Sequence, residues 1–223
     1  MPGTMARMKI DFVSDVSCPW CIIGLQSLQQ ALERIGPELP VSLHFQPFEL
    51  NPQMAAEGED IGEHLQRKYG ASAAQSEASR ENIRQRGAAL GFEFRMDQRT
   101  RIYNTFDAHR LLHWAGEQAD GLQLALKKAL FSAYFTEGKN PGDFAVLLDA
   151  AEAVGLDRKA AETVLKSDTY AVEVRELEAY WQQAGIHSVP AVIINDRHLI
   201  SGGQPPEVFE KALRQIAAET TSA

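Results

Sequence analysis

Cysteine is nearly absent: the 223-residue chain has two, and both fall in one four-residue stretch, Cys18-Pro19-Trp20-Cys21. That scarcity excludes a scaffold stapled by several disulfides. It also excludes a self-contained four-cysteine zinc site, since structural zinc normally takes four ligands and there is no second pair. Basic residues are short as well, with 22 lysines and arginines against 30 aspartates and glutamates, for a net charge of -8 and a pI near 5.3. Such a surface repels phosphate backbones and anionic lipid, so neither nucleic acid nor a membrane is an expected partner. Met1 to Lys9 carries methionines at 1, 5 and 8, any of which could start translation, and lacks the apolar run of a signal peptide. The expected compartment is the cytoplasm, where persistent structural disulfides are rare. Internal repeats and low-complexity segments are also missing. What remains is an ordinary globular composition, 44% hydrophobic and 23% charged, on a length that suits one large domain or a core domain carrying an insertion.

The cysteine pair sits between an apolar run (Ile10, Phe12, Val13, Val16) and a stretch in which Trp20, Ile23, Gly24, Ser27, Leu28, Ala31 and Ile35 recur at helical spacing. Lys9 to Ser14 predicts a short buried strand. Pro19 suits a first helical turn, and Gly36-Pro37 ends the helix. Cys18 is thereby placed at a helix N-terminus, where unpaired amides and the helix dipole favour thiolate over thiol. A free cysteine has a pKa of roughly 8.5, and Cys-X-X-Cys sites at helix starts fall to about 3.5 to 7.5. Cys18 is the expected attacking nucleophile; Cys21, one turn further on, is the expected resolving thiol. The competing readings are weaker. A metal would need histidines to complete its set, and a disulfide spanning three residues would constrain the unfolded chain little.

Beyond the first helix, Val41, Leu43 and Phe45 alternate with Ser42, His44 and Gln46, the period of a half-buried strand. Phe48-Glu49-Leu50-Asn51-Pro52 then turns the chain away, and Met54 to Gly62 reads as a loop leaving the sheet. A long helical region follows, with segments over Ile61 to Tyr69 and Ser76 to Leu90, and Phe92 and Phe94 suggest a brief extended stretch between helices. Asn104 or Thr105 is placed to cap a helix carrying Ala108, Leu111, Leu112 and Ala115 on one face. Leu122, Ala125, Leu126, Ala129 and Ala133 continue the period, with Lys127 and Lys128 expected outward. Phe144 to Val154 reads as the next helix, Asp157 as the cap of one through Leu165, and Ser167 as the cap of a longer one through Ala184. The strand period returns at Ile186. Val189-Pro190 precedes Ala191 to Ile194, Asn195 to His198 turns, and Leu199 to Ser201 pairs back as a hairpin. A last helix points Phe209, Ala212, Leu213 and Ile216 inward before a polar tail.

Strand, Cys-X-X-Cys helix and strand, then helices, Val-Pro, hairpin and helix, form a thioredoxin order split by an insertion. The expected fold is α/β, a thioredoxin-like domain over 9–56 and 186–218, with an all-helical insertion over 57–185, a flexible N-terminus over 1–8 and a tail over 219–223. The sequence resembles the DsbA-like branch of the thioredoxin superfamily, specifically its FrnE-like proteins. The resemblance is carried by residues 11–21, by Phe48 to Pro52, by Asn104 to Leu111 with its Ala108-His109-Arg110-Leu111, and by Gly185 to Ala191. It implies that Pro190 is a cis-proline whose loop faces the cysteines, that the Val189 backbone pairs with an extended substrate, and that the proline ring keeps metal from the thiols. It also implies that His109 lies in helices overhanging the active site.

Three polar residues are candidate modulators. Asp15, three before Cys18, could relay a proton, although its charge would oppose the thiolate; loop solvation is its other reading. His187, just before Val189-Pro190, could face the cysteines or solvent, and His109 could act with them. His109 and His113 lie four apart on one helix face, too few for a metal site, and His113 is expected in packing or at the surface. Trp20, between the cysteines, is read with Pro19 as a rim that contacts the partner.

The expected function is thiol-disulfide exchange with a protein or a low-molecular-weight thiol or disulfide, with no cofactor beyond the cysteines and glutathione as a candidate co-substrate. The alternative is a glutathione-dependent isomerase or transferase. The sequence resembles the architecture of 2-hydroxychromene-2-carboxylate isomerases and kappa-class transferases, which place a serine where Cys18 stands. A thioredoxin-fold binding module is the non-enzymatic reading, for which Cys18→Ser would leave function intact. Either a monomer or a homodimer is compatible with the sequence.

Overall fold

The computed structural model describes residues 7–221. Positions 1–6 and 222–223, parts of the expected N-terminal segment and tail, lie outside the described residues. The chain opens with strand β1 (Met8–Ser14), helix α1 (Pro19–Ile35) and strand β2 (Val41–Pro47). It then runs through a short strand β3 (Glu59–Asp60), helices α2 (Ile61–Tyr69) and α3 (Ala73–Ala89), and strand β4 (Arg101–Ile102). Helices α4 (Phe106–Gly116), α5 (Leu122–Phe135), α6 (Phe144–Ala153), α7 (Arg158–Lys166) and α8 (Ala171–Gln183) follow. Strands β5 (Ala191–Ile194) and β6 (His198–Ser201) and helix α9 (Pro206–Thr221) close the chain.

The main sheet has the order β2-β1-β5-β6, with β1 parallel to β2 and antiparallel to β5. Because side chains alternate across a strand, β1 serves two cores at once. Ile10 and Phe12 pair with Ile194 and Val192 in register and pack with Leu25 and Leu28 of α1 and Phe209 and Leu213 of α9. Val13, on the other face, joins Ala191, Ile193, Phe48, Trp181 and Ile186. A third cluster lies among α4 to α7 around Leu111, Leu126, Leu147 and Val164, and Val16 reaches into it from the turn between β1 and α1. Helix α5 links two of these cores. Its Leu126 and Leu130 belong to the helical cluster, while Phe131, Tyr134 and Phe135 pack in the cluster of the sheet and α1.

Several elements depart from the sequence expectation. The Arg-rich helix begins at Ala73, because Ser72 and Gln75 form a reciprocal capping box upstream of the expected start. Phe92 and Phe94 form no strand; their rings sit 4.7 Å apart and Phe94 packs edge-on against Phe135. The extended piece lies further on, where Arg101–Ile102 pairs with Glu59–Asp60. Ser167 does not start a long helix but follows the end of α7, and α8 begins only after Tyr170, whose φ is 65°. The cause is Arg110, whose guanidinium draws in the carbonyls of Val164, Ser167 and Thr169 and holds that segment as a turn. Residues 219–221 continue α9 rather than forming a tail. No helix among the described residues is long and apolar enough to cross a membrane.

Candidate active site

Cys18 is the N-cap of α1, with φ -97° and ψ 113°, and Pro19 occupies the first helical position, where its missing N–H leaves no bond unmade. The Cys18 amide donates to the Asp15 carbonyl at 3.2 Å, and the Cys21 amide donates to the Cys18 carbonyl at 3.2 Å, so the turn carrying both thiols is pinned at each end. Both cysteines are free thiols; Cys21 is fully buried and Cys18 is 4% exposed. The Cys21 thiol donates to the Cys18 sulfur, and this bond, with amides of the first turn, outweighs burial and holds Cys18 below the usual thiol range. Burial and the neighbouring Cys18 charge push Cys21 well above it. One sulfur is prepared as an anion and the other as its proton donor.

The Cys18 Sγ faces the Val189 carbonyl oxygen at 3.8 Å. The Val189–Pro190 bond is cis, as the family resemblance implies. The Pro190 loop is held by the Gly202 amide donating to the Pro190 carbonyl at 2.9 Å. Gly24 packs closely beneath it: a Cβ there would stand 3.0 Å from Pro190 Cγ, so the ring would have to give way by a few tenths of an ångström. Trp20 is half-buried, and the Arg86 guanidinium of α3 lies 5.1 Å from its ring centroid. Cys18, Cys21, Pro19, Trp20, Val189 and Pro190 are therefore assembled at one end of the sheet.

Asp15 is buried behind the pair and fully occupied. Its Oδ1 lies 3.2 Å from His109 Nε2, and its Oδ2 accepts from Ser17 Oγ at 3.1 Å and from the Leu50 amide at 2.9 Å. Burial disfavours its charge, but His109 and the Leu50 and Thr105 contacts prevail and hold the carboxyl below its usual range. Its negative charge in turn opposes the Cys18 thiolate. His109 lies on α4, which packs against β2, and it reaches Asp15 in the turn before Cys18. His187 is not drawn in: it is exposed and makes no hydrogen bond or ion pair among the described residues. His113 is half-buried, its ring 4.8 Å from that of Tyr170.

Two basic residues that the sequence did not point to complete the surroundings. Arg99, buried, donates from Nη2 to the Ser17 carbonyl at 3.4 Å and from Nε to Tyr134 Oη at 3.1 Å, with its guanidinium 4.8 Å from the Phe135 ring centroid. Its neighbours Asp97, Gln98 and Thr100 give it the look of a loop residue, and no local pattern marks it. Lys127 corrects the expectation that it faces out: it is 1% exposed, whereas Lys128 is exposed. The turn of α5 that puts Leu126 and Leu130 in the helical core rotates Lys127 toward the sheet, with its Nζ 5.2 Å from the Phe131 ring centroid and 5.8 Å from that of Phe45. Burial lowers its pKa to about 8, although Cys21, Asp15 and Cys18 favour its charge. Among the described residues, no cluster of three or more histidines, cysteines or acids is arranged to hold a metal ion.

A free thiol at a helix start, its partner one turn below and a cis-proline loop beside it coincide with a match of residues 9–214 to the family model of the DsbA-like thioredoxin domain. The chain belongs to that family. A solved structure of a probable DsbA oxidoreductase from Streptomyces coelicolor is 34% identical, with a TM-score of 0.86 over 96% of this chain and 91% of that one. The uncharacterised protein YwbO of Bacillus subtilis (strain 168) is 29% identical over 92% of this chain and 96% of its own length. A 2-hydroxychromene-2-carboxylate isomerase shares the DsbA-like fold at a TM-score of 0.69 and 15% identity, over 96% of this chain and 98% of that one.

Proposed function

We propose that this protein is a thiol-disulfide oxidoreductase of the FrnE-like type, working through Cys18 and Cys21 on a protein or low-molecular-weight partner. The observation that carries the reading is the geometry of the two free thiols, Cys18 at the N-cap of α1 and Cys21 one turn further in, with the cis Val189–Pro190 loop facing Cys18 Sγ; the opposite bias of the two thiols agrees with it. In the forward direction the Cys18 thiolate attacks a substrate disulfide, forming a mixed disulfide and releasing one substrate sulfur as thiolate. Cys21 then attacks Cys18 Sγ, forming the Cys18–Cys21 disulfide and releasing the second sulfur. The reverse sequence, from an oxidised pair and a substrate dithiol, uses the same geometry.

In this reading the Val189 carbonyl, 3.8 Å from the attacking sulfur, belongs to the strip that receives an extended substrate. Pro190 closes the approach from one side and Trp20, backed by Arg86, forms the opposite rim. Asp15 and His109 act as a buried pair that moderates Cys18, and the cytoplasm is the proposed compartment.

A glutathione redox titration with thiol trapping and mass analysis tests the proposal. A two-electron transition confined to Cys18 and Cys21 is the expected result, and its midpoint sets the preferred direction. A protein that forms no internal disulfide and keeps glutathione stably on Cys18 would instead be read as a glutathione-dependent isomerase or transferase.

A further inference from the structure

We infer that Lys127 is a positioning residue for the resolving step: from its seat on α5 it supplies the countercharge that lets buried Cys21 attack as a thiolate. The inference rests on the exchange reading above. A fully buried thiol is a poor nucleophile, because ionising it in an apolar setting without a compensating charge is costly. Lys127 is itself buried, and among the described residues no carboxylate stands within ion-pair distance of it. Its contacts are the ring faces of Phe45 and Phe131, which recover only part of the lost hydration.

The titratable groups facing it are those of the site together with His113. Phe45 and Phe131, whose rings meet the ammonium, share one buried cluster with Cys18 and Cys21 of the α1 start, and the charges of Cys21, Cys18 and Asp15, the last in the turn after β1, favour the ammonium. Helix α4 presents His109 and His113, which line with Lys127 a cavity of about 10 Å³, and β2 contributes only Phe45, Gln46 and Pro47 to its wall. Asp15 is already bonded by His109, Ser17 and the Leu50 amide. Lys127 is the cation whose charge favours the ionised form of Cys21. With a pKa near 8, Lys127 is mostly charged at neutral pH, so the countercharge is in place when resolution begins.

The step balances without another reactant. Cys21 loses its proton, its sulfur bonds to Cys18 Sγ, and the bond from Cys18 to the substrate sulfur breaks. The substrate sulfur leaves with the electron pair and takes up the proton as a free thiol.

The test is a single-turnover reaction with an aromatic disulfide whose released thiol is coloured, which separates attack by Cys18 from resolution by Cys21. In Lys127→Met the resolving rate at neutral pH is expected to fall about tenfold, and its pH profile to move up by about one unit. Attack by Cys18 changes far less. Lys127→Gln, neutral and still polar, makes the same comparison should the methionine variant not fold. A folded neutral variant whose resolving profile coincides with the wild type overturns the role of Lys127. A wild-type protein in which Cys21 never releases the mixed disulfide overturns the exchange reading itself.

Discussion

At Cys18 the thiolate is favoured by three local facts: the helix start, the Cys21 thiol that donates to it, and the first-turn amides. Only the thiol bond is lost if the partner sulfur is removed, and all three are lost if the fold opens, so the depressed pKa is a property of the assembled turn. Cys21→Ser is expected to leave Cys18 reactive and to accumulate a stable mixed disulfide with an added disulfide, seen as a mass increase that the wild type sheds. Asp15 pulls the other way on Cys18. Asp15→Asn should lower the Cys18 pKa further, followed by the ultraviolet absorbance of the thiolate. The sign of the stability effect differs. The Asp15 carboxyl is depressed in the fold, so its contribution is present above the unfolded carboxylate pKa near 3.9 and is lost as pH falls through the lower folded value. In Asp15→Asn that acid-side dependence should shrink in thermal melts taken below about pH 4. The cysteine pair and its place at a helix start were legible in the sequence because a Cys-X-X-Cys spacing and an N1 proline act locally. Lys127 and Arg99 were not legible, because their place in the site depends on how α5 and the 97–101 segment are rotated against the sheet.

At the scale of elements, α6 and α7 start on aspartate caps, and one buried arginine fixes the segment that follows α7. Asp157 Oδ1 accepts from the Ala160 amide at 2.6 Å and starts α7, which buries Ala161, Val164 and Leu165. Asp157→Ala should cost about 1 kcal/mol and lower Tm by about 2–4 °C, with cysteine reactivity unchanged. A larger loss that also altered Cys18 alkylation would mean that α7 is coupled to the site. Caps of this kind were readable: Asp157 and the hairpin at Asn195–Asp196, both with positive φ, are where local residue chemistry placed them. The misplaced start of α8 has the opposite cause. Ser167 has the chemistry of a cap, but Arg110, 57 residues earlier, claims its carbonyl.

Across the whole molecule, α8 is tied to the segment after β2 by a buried acidic pair. Glu49 and Glu178 share Arg175, which lies 3.8 Å from the Phe106 ring centroid. Burial and the adjacent Glu178 push the Glu49 pKa up to about 8 despite Arg175. A carboxyl raised by folding contributes stability below its unfolded pKa, about 4.3, and loses it as pH rises through the folded value. The melting temperature should therefore decline from mildly acidic pH toward pH 8 and above, and Glu49→Gln should flatten that decline. A wild-type curve flat over this range would remove the pair as a source of pH dependence.

Sequence by itself determined the α/β order, the cysteine helix, the half-buried period of β2, the closing hairpin and the Asp157 cap, since each follows from periodicity or from a residue acting on its own backbone. The cis-proline loop came through family resemblance. Only the tertiary structure decided that Lys127 points inward, that Arg99 reaches Ser17 and that His109 meets Asp15 across 94 positions of chain. It also decided that Arg110 breaks the helix expected at Ser167. Those outcomes turn on the rotation of a helix about its axis and on contacts between distant segments. A period of 3.6 shows that a helix has a buried face; which polar residue at the edge of that face is covered depends on what packs against it.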